Sequence, residues 1–260
     1  MTILDKIIDK KKQEVEQAKN VSVIADLEAM PLFGRSCYSL HDSIRHPERN
    51  GIISEFKRAS PSKGIINAHS PVAEVVRGYQ AAGVSAVSVL TDSEFFKGNL
   101  ADLTEARAAL QLPLLRKEFI VDEYQIVEAK AYGADIILLI AAVLDPKEVQ
   151  VLSTFAQSLG LHVLLEVHNR EELERSITDS VDAIGVNNRN LKDFSVSLDH
   201  SLELADVIPN RFIKVSESGI SNPATIRQLR EAGFQGFLIG ENFMKTDDPV
   251  QAISEFVKAL

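Results

Sequence analysis

AYGADIILLI, Ala131 to Ile140, holds a helix end, a turn and a strand within ten residues. Ala131-Tyr132-Gly133 reads as a helix C-terminus closed by glycine, the residue that enters the left-handed conformation at least cost. Ile136 to Ile140 then runs IILLI without the polar alternation of a half-exposed strand, so both of its faces should be buried. Strands buried on both faces belong to parallel sheets, whose successive strands need crossover helices. One such unit therefore implies others along the chain.

They are present. Ala81-Ala82-Gly83, Ser158-Leu159-Gly160 and Glu231-Ala232-Gly233 repeat the helix-ending glycine. Apolar runs occur at 51–56, 86–90, 113–116, 135–140, 162–166, 183–186, 212–215 and 236–239. Their centres lie about 20 to 35 residues apart, room for a helix and two loops. The expected fold is α/β, a closed (β/α)8 TIM barrel over residues 48–260. An open doubly wound sheet is the alternative, weakened by the lack of GxGxxG after the first strand. Residues 1–47 are too few for a core of their own and read as an N-terminal helical extension. Leu4, Ile7, Ile8 and Val15 give its first helix an apolar stripe, while Lys10 to Lys12 are expected to face solvent. A second amphipathic segment at 21–30 and a link through Pro31 and Gly34 complete it.

Of the 260 residues, 45% are hydrophobic and 25% charged, enough for one large core. A net charge of −9 excludes a broad basic surface for nucleic acid or acidic membrane, so any anionic ligand must be held by a local cluster. Cys37 stands alone, which rules out an intrachain disulfide or a cysteine-based zinc site. The six histidines show neither HxH nor HExxH spacing, so no metal is expected, and nothing calls for a cofactor. The N-terminal segment lacks the long apolar run of a signal peptide or membrane span, and cytoplasmic residence without a membrane partner is the expectation.

The chemistry gathers where the apolar runs end. In IISEFKRASPSKG, 52–64, Glu55 and Lys57 stand two residues apart and project to one face of a strand. Alone, that pair would read as an exposed ion pair on an edge strand. The third run, however, ends at Arg116-Lys117-Glu118-Phe119, the fifth at Glu166, the sixth at Asn187-Asn188-Arg189-Asn190, the seventh at Ser216-Glu217-Ser218-Gly219 and the eighth at Gly240-Glu241-Asn242. Catalytic groups of such barrels lie at these strand ends. Lys57 and Lys117 can donate protons or offset developing negative charge, and Glu55, Glu166 and Glu217 can accept protons or hold the lysines. A rim of ion pairs without catalysis is the competing reading. SESGI (216–220) and LIGEN (238–242) place glycines where backbone N–H groups can meet a phosphate. Glu241 is awkward there, and its side chain is expected to point away. Phe96, Phe119 and Leu138 can form a flat slot for an aromatic ring.

These segments, with LTDSEFFKGNLADL (90–103), LLRKEFIVDEYQI (114–126), ADIILLIAAVL (134–144), LLEVHN (164–169), IGVNNRNL (184–191) and FLIGENFM, together resemble the indole-3-glycerol-phosphate synthase family of tryptophan biosynthesis. The resemblance implies a carboxy-lyase that closes the ring of 1-(2-carboxyphenylamino)-1-deoxyribulose 5-phosphate with loss of carbon dioxide and water. It implies a general acid at Lys117, an acid/base for dehydration at Glu166 and a substrate-contacting lysine at Lys57. Glu55, Asn187 and Glu217 would support them, with Arg189 and Leu191 beside the substrate. Ser60, Ser218, Gly219, Gly240 and the backbone of Glu241 would hold the phosphate, with Leu238 among the contacts. Phe96, Phe119 and Leu138 would receive the anthranilate ring, and the extension would pack over the barrel mouth. The implied partner is a phosphorylated small molecule, and association with other tryptophan-pathway enzymes is left open. Two readings compete. A phosphoribosylanthranilate isomerase would carry a cysteine at the end of its first strand, where this chain has Glu55. A silent phosphate-binding barrel would have no use for Glu55, Lys57, Lys117 and Glu166 together.

Overall fold

The computed structural model describes residues 2–190 and 193–260. Eight strands close into a parallel barrel in chain order: β1 Ile52–Phe56, β2 Ala86–Leu90, β3 Leu114–Lys117, β4 Ile136–Ile140, β5 His162–Val167, β6 Ala183–Asn187, β7 Ile213–Glu217 and β8 Gly236–Ile239. Ile53 lies beside Ala86 on one side and Leu238 on the other, which closes the ring. Helices α1 Ile3–Val21, α2 Ile24–Glu28 and α3 Leu40–Arg45 precede the barrel. Around it run α4 Val72–Ala81, α5 Leu100–Ala109, α6 Glu123–Ala131, α7 Pro146–Ser158, α8 Arg170–Ser176, α9 Asp199–Leu204, α10 Pro223–Glu231, α11 Glu241–Met244 and α12 Pro249–Lys258.

The IILLI run is divided between two cores. Ile136, Leu138 and Ile140 point into the barrel with Ile53, Leu115, Leu164 and Val215, while Ile137 and Leu139 meet the surrounding helices. Burying each such side chain is worth roughly 1.5–3 kcal/mol, which explains the unbroken apolar pattern. Gly83, Gly133, Gly160 and Gly233 all have positive φ, so the helix ends sit where the sequence places them. Several strands run past their apolar runs. β3 includes Lys117, paired with Leu90, and β6 and β7 include Asn187 and Glu217, paired with each other. Backbone pairing thus extends under the polar residues and holds them on rigid elements rather than in loops.

The extension reaches both ends of the barrel. Val15 and Leu27 pack on Tyr124, Val127 and Ala131 of α6, whose Tyr124 hydroxyl donates to the carbonyls of Ala18 and Ser22. Leu40 and Ile44 of α3 fill the end where the strands begin. Lys11 corrects the expectation of a solvated lysine run. It is 5% exposed and reaches Glu14 at 2.7 Å and Asp92 and Glu118 at 3.0 Å. The reason is its spacing, four residues from both Ile7 and Val15, which puts it on the buried stripe itself.

Asp135 ties the extension down at the other end. Its buried carboxylate accepts from Arg107 at 2.8 Å, Arg35 at 2.7 Å and the N–H groups of Tyr38 and Leu114 at 2.8 Å. Asp135→Ala would leave two arginines without their shared carboxylate, and a loss of about 3–5 kcal/mol is expected in urea unfolding. A loss under about 1 kcal/mol would show that the contact is incidental.

Candidate active site

Glu55, Lys117, Glu166 and Glu217 come from β1, β3, β5 and β7. Alternate strands of an eight-stranded barrel contribute the four side chains of one layer, so these residues form a charged layer across its interior. Two residues earlier on the same strands stand Ile53, Leu115, Leu164 and Val215, members of one apolar cluster. The charged layer rests directly on that floor.

Lys117 Nζ lies 2.5 Å from Glu217 Oε2 and 3.1 Å from Glu166 Oε2. Asn187 donates to Glu166 Oε1 at 3.0 Å. Lys57, just past the end of β1, pairs with Glu55 at 2.9 Å, as two-residue spacing on an extended chain allows. Gly185 and Gly240 make room for the two outer carboxylates. A Cβ at Gly185 would fall 2.1 Å from Glu217 Oε1, and one at Gly240 would fall 2.6 Å from Glu55 Oε1.

A cavity of about 640 Å³ opens above this layer. Ser60, Phe96, Phe119, Leu138, Arg189, Ser218, Gly219, Leu238, Gly240 and Glu241 line it together with Glu55, Lys57, Lys117, Glu166, Asn187 and Glu217. Leu191 lies outside the described residues. Phe96 and Phe119 set their rings 6.1 Å apart beside Leu138. Ser218 and Gly219 have φ of +67° and +78°, forming the sharp turn after β7. Buried Asn188 fixes that turn by donating to the Ser218 carbonyl at 3.1 Å. The Glu241 side chain, expected to point away where its backbone meets a phosphate, lies at the rim of the cavity. Arg189 at 3.6 Å and Lys63 at 4.0 Å hold it at the rim, since two cations converge over the end of β8.

Sequence reasoning missed several groups. Ile3, Leu4 and Ile7 of α1 enter the cavity wall; the extension is expected over the mouth, but its amphipathic stripe does not single out these side chains. Asp92 and Glu118 also line the cavity, and they brace the slot between Phe96 and Phe119. Asp92 accepts the N–H groups of Phe95 and Phe96, and Glu118 accepts that of Phe119, with Lys11 between the two carboxylates. Cys37 is elsewhere, 3.1 Å from Lys130.

Burial alone would push the Lys117 ammonium down, but Glu217 and Glu166 outweigh it and hold the ammonium above its ordinary range. One cation cannot satisfy two buried carboxylates equally. At Glu217 burial dominates Lys117, and with the Glu166 charge nearby the carboxyl is pushed up to about 7. At Glu166 burial is overcome by Lys117, His168 and Asn187, and the carboxyl stays below its usual range. The site pairs a carboxylate with a carboxyl near neutrality on one ammonium, an arrangement suited to moving protons. No helix of the described residues is long and apolar enough to cross a membrane.

A sequence model of the family described as indole-3-glycerol phosphate synthase matches residues 4–256. The chain is 46% identical over 258 residues to the indole-3-glycerol phosphate synthase of Bacteroides thetaiotaomicron, covering 99% of this chain and 98% of that one. Its identity to the Burkholderia ambifaria protein of the same name is 45% over 258 residues, 97% of each. A solved structure described as native KDPGal aligns with a TM-score of 0.57 at 15% identity, covering 81% of this chain and 92% of that one, a likeness of fold alone.

The raised Glu217 carboxyl has a measurable cost. The unfolded chain ionises this group near 4.5 and the folded chain near 7, so the native state holds the extra proton and loses stability as pH rises between those values. Glu217→Gln removes the penalty. Urea unfolding at pH 5 and pH 8 should show the variant gaining about 2–3 kcal/mol on the wild type between the two. A stability difference that does not change with pH would contradict the assignment.

Proposed function

The chain belongs to the indole-3-glycerol phosphate synthase family, and on that premise we propose how its cavity performs the family's reaction. The substrate is 1-(2-carboxyphenylamino)-1-deoxyribulose 5-phosphate, and the products are indole-3-glycerol phosphate, carbon dioxide and water. The ring enters the slot of Phe96, Phe119 and Leu138, and the phosphate meets the turns at Ser218-Gly219 and Gly240-Glu241 with Ser60. Between these ends, the ketone comes to lie over Lys117. The observation that carries this reading is Lys117 clamped between Glu166 and Glu217 on the floor of the cavity.

The ring carbon bearing the carboxylate attacks the ketone, and its oxygen takes a proton from the Lys117 ammonium as charge develops there. Carbon dioxide then leaves with its bonding electrons returned to the ring, restoring aromaticity. Expulsion of the new hydroxyl needs a proton on the departing oxygen and a base at the substrate nitrogen, and Glu166 serves this dehydration. Glu217, close to neutrality and 2.5 Å from Lys117, can return the proton that the lysine gave up. Lys57 and Arg189 hold the substrate's anionic groups, and Glu55 and Asn187 fix Lys57 and Glu166. The enzyme would act in the cytoplasm on a phosphorylated small molecule.

Lys117→Met should lower kcat about a hundredfold or more while leaving KM nearly unchanged, because the lost interaction belongs to the transition state. Steady-state kinetics giving near-wild-type kcat would remove Lys117 from the role of acid. Glu166→Gln keeps shape and a hydrogen-bond donor but cannot exchange a proton. Rapid-quench analysis of this variant should find carbon dioxide released ahead of the indole product. Simultaneous appearance at the wild-type rate would place dehydration elsewhere.

A further inference from the structure

Glu166 near the end of β5 and His168 just beyond it repeat the two-residue spacing of Glu55 on β1 and Lys57 just beyond that strand. Residues so spaced on an extended chain project to one side. His168 Nε2 lies 3.5 Å from Glu166 Oε1, and Nδ1 lies 3.1 Å from Glu172 Oε2. The ring is nearly enclosed, with 10% of the side chain exposed. Its placement is built in: Glu172 Oε2 also accepts the His168 backbone N–H at 2.8 Å, and the Glu172 N–H is capped by Asn169 at 2.9 Å. Nδ1 is hydrogen-bonded to Glu172, whereas buried Nε2 meets no hydrogen-bond partner among the described residues and faces Glu166 only across 3.5 Å; carboxylates on both sides favour the imidazolium.

We propose that His168 is a positioning residue for Glu166: fixed by Glu172, it sets a cation against Oε1 while Lys117 holds Oε2. The carboxylate then stays ionised and oriented until dehydration requires it. This inference rests on the role assigned to Glu166 above. Burial opposes the charge on His168, but the hydrogen bond to Glu172 and the charges of Glu166, Glu172 and Glu217 outweigh it and raise the imidazole's affinity for its proton. Lys117 faces the same carboxylate from β3, and Arg175 of α8 lies near Glu172. On the outer side, Arg170, His200 and Glu203 share with His168 a cavity of about 380 Å³.

His168→Asn removes the cation and leaves a side-chain amide for Glu172. Near pH 7, kcat should fall about tenfold with KM within about twofold of wild type. Loss of the cation raises the Glu166 carboxyl, so the acidic limb of kcat/KM should move to higher pH by about one unit. A second measurement does not depend on that variant folding. Coupling between two charges is reciprocal, so in Glu166→Gln the His168 imidazole should titrate at lower pH by NMR. An unmoved acidic limb, or an imidazole that titrates as in wild type, overturns the inference. Full turnover by Glu166→Gln would instead remove the role of Glu166 itself. An inactive Glu166→Gln with an unmoved imidazole would remove His168 alone.

Discussion

The Lys117 ammonium, shared by two buried carboxylates, is the constraint on which the site depends. At 2.5 and 3.1 Å from Glu217 and Glu166, it offsets the desolvation of either one but not of both. The deficit must be met by neutralising one carboxyl or by recruiting further donors. This chain does both, at different partners. Glu217 is pushed towards neutrality, while Glu166 accepts from Asn187 and has the His168 imidazole 3.5 Å away. The inequality between two chemically equal side chains is what an acid/base sequence needs.

The barrel supplies the geometry that makes such a cluster affordable. A layer of four side chains from alternate strands faces inward whatever its polarity, and its members cannot turn away without breaking strand pairing. Charges placed there sit above Ile53, Leu115, Leu164 and Val215, with dense apolar packing below and the cavity above. The extension adds a second anchorage. Lys11 brings α1 against Asp92 and Glu118, the carboxylates that hold the backbone under Phe96 and Phe119. The slot between Phe96 and Phe119 is therefore fixed from the barrel and from the extension at once.

Much of this was legible in the residues. Unalternating runs such as IILLI, with glycines closing the preceding helices, indicate eight buried parallel strands, and the polar residues ending those runs mark the cavity. What the reading missed depends on relations across the chain. Lys11 looks like part of a solvated lysine run until Asp92 and Glu118, some 80 and 107 residues away in sequence, are seen to meet it. The resemblance brings the extension over the barrel mouth, but the apolar stripe alone does not say that Ile3 and Leu4 reach the cavity wall. A carboxylate at a phosphate end is expected to turn away, but Arg189 and Lys63 hold Glu241 at the rim. His168 had a local signal, the two-residue spacing after Glu166, but the decisive partner, Glu172, lies on the following helix.

The difference in ionisation between Glu166 and Glu217 is written largely in β6, the strand between them. Gly185 brings no side chain to the interior, so Glu217 Oε1 lies close against it, where a methyl group would stand 2.1 Å away. That oxygen is buried and meets no hydrogen-bond donor among the described residues, which raises the cost of ionising it. Two residues later on the same face, Asn187 donates to Glu166 at 3.0 Å and lowers the cost there. GVN thus treats its neighbours on either side oppositely, withholding a partner from one carboxyl and giving one to the other. Lys117 then stands between a group inclined to keep a proton and a group inclined to lack one, and that difference is set by strand register rather than by the chemistry of the carboxyls themselves.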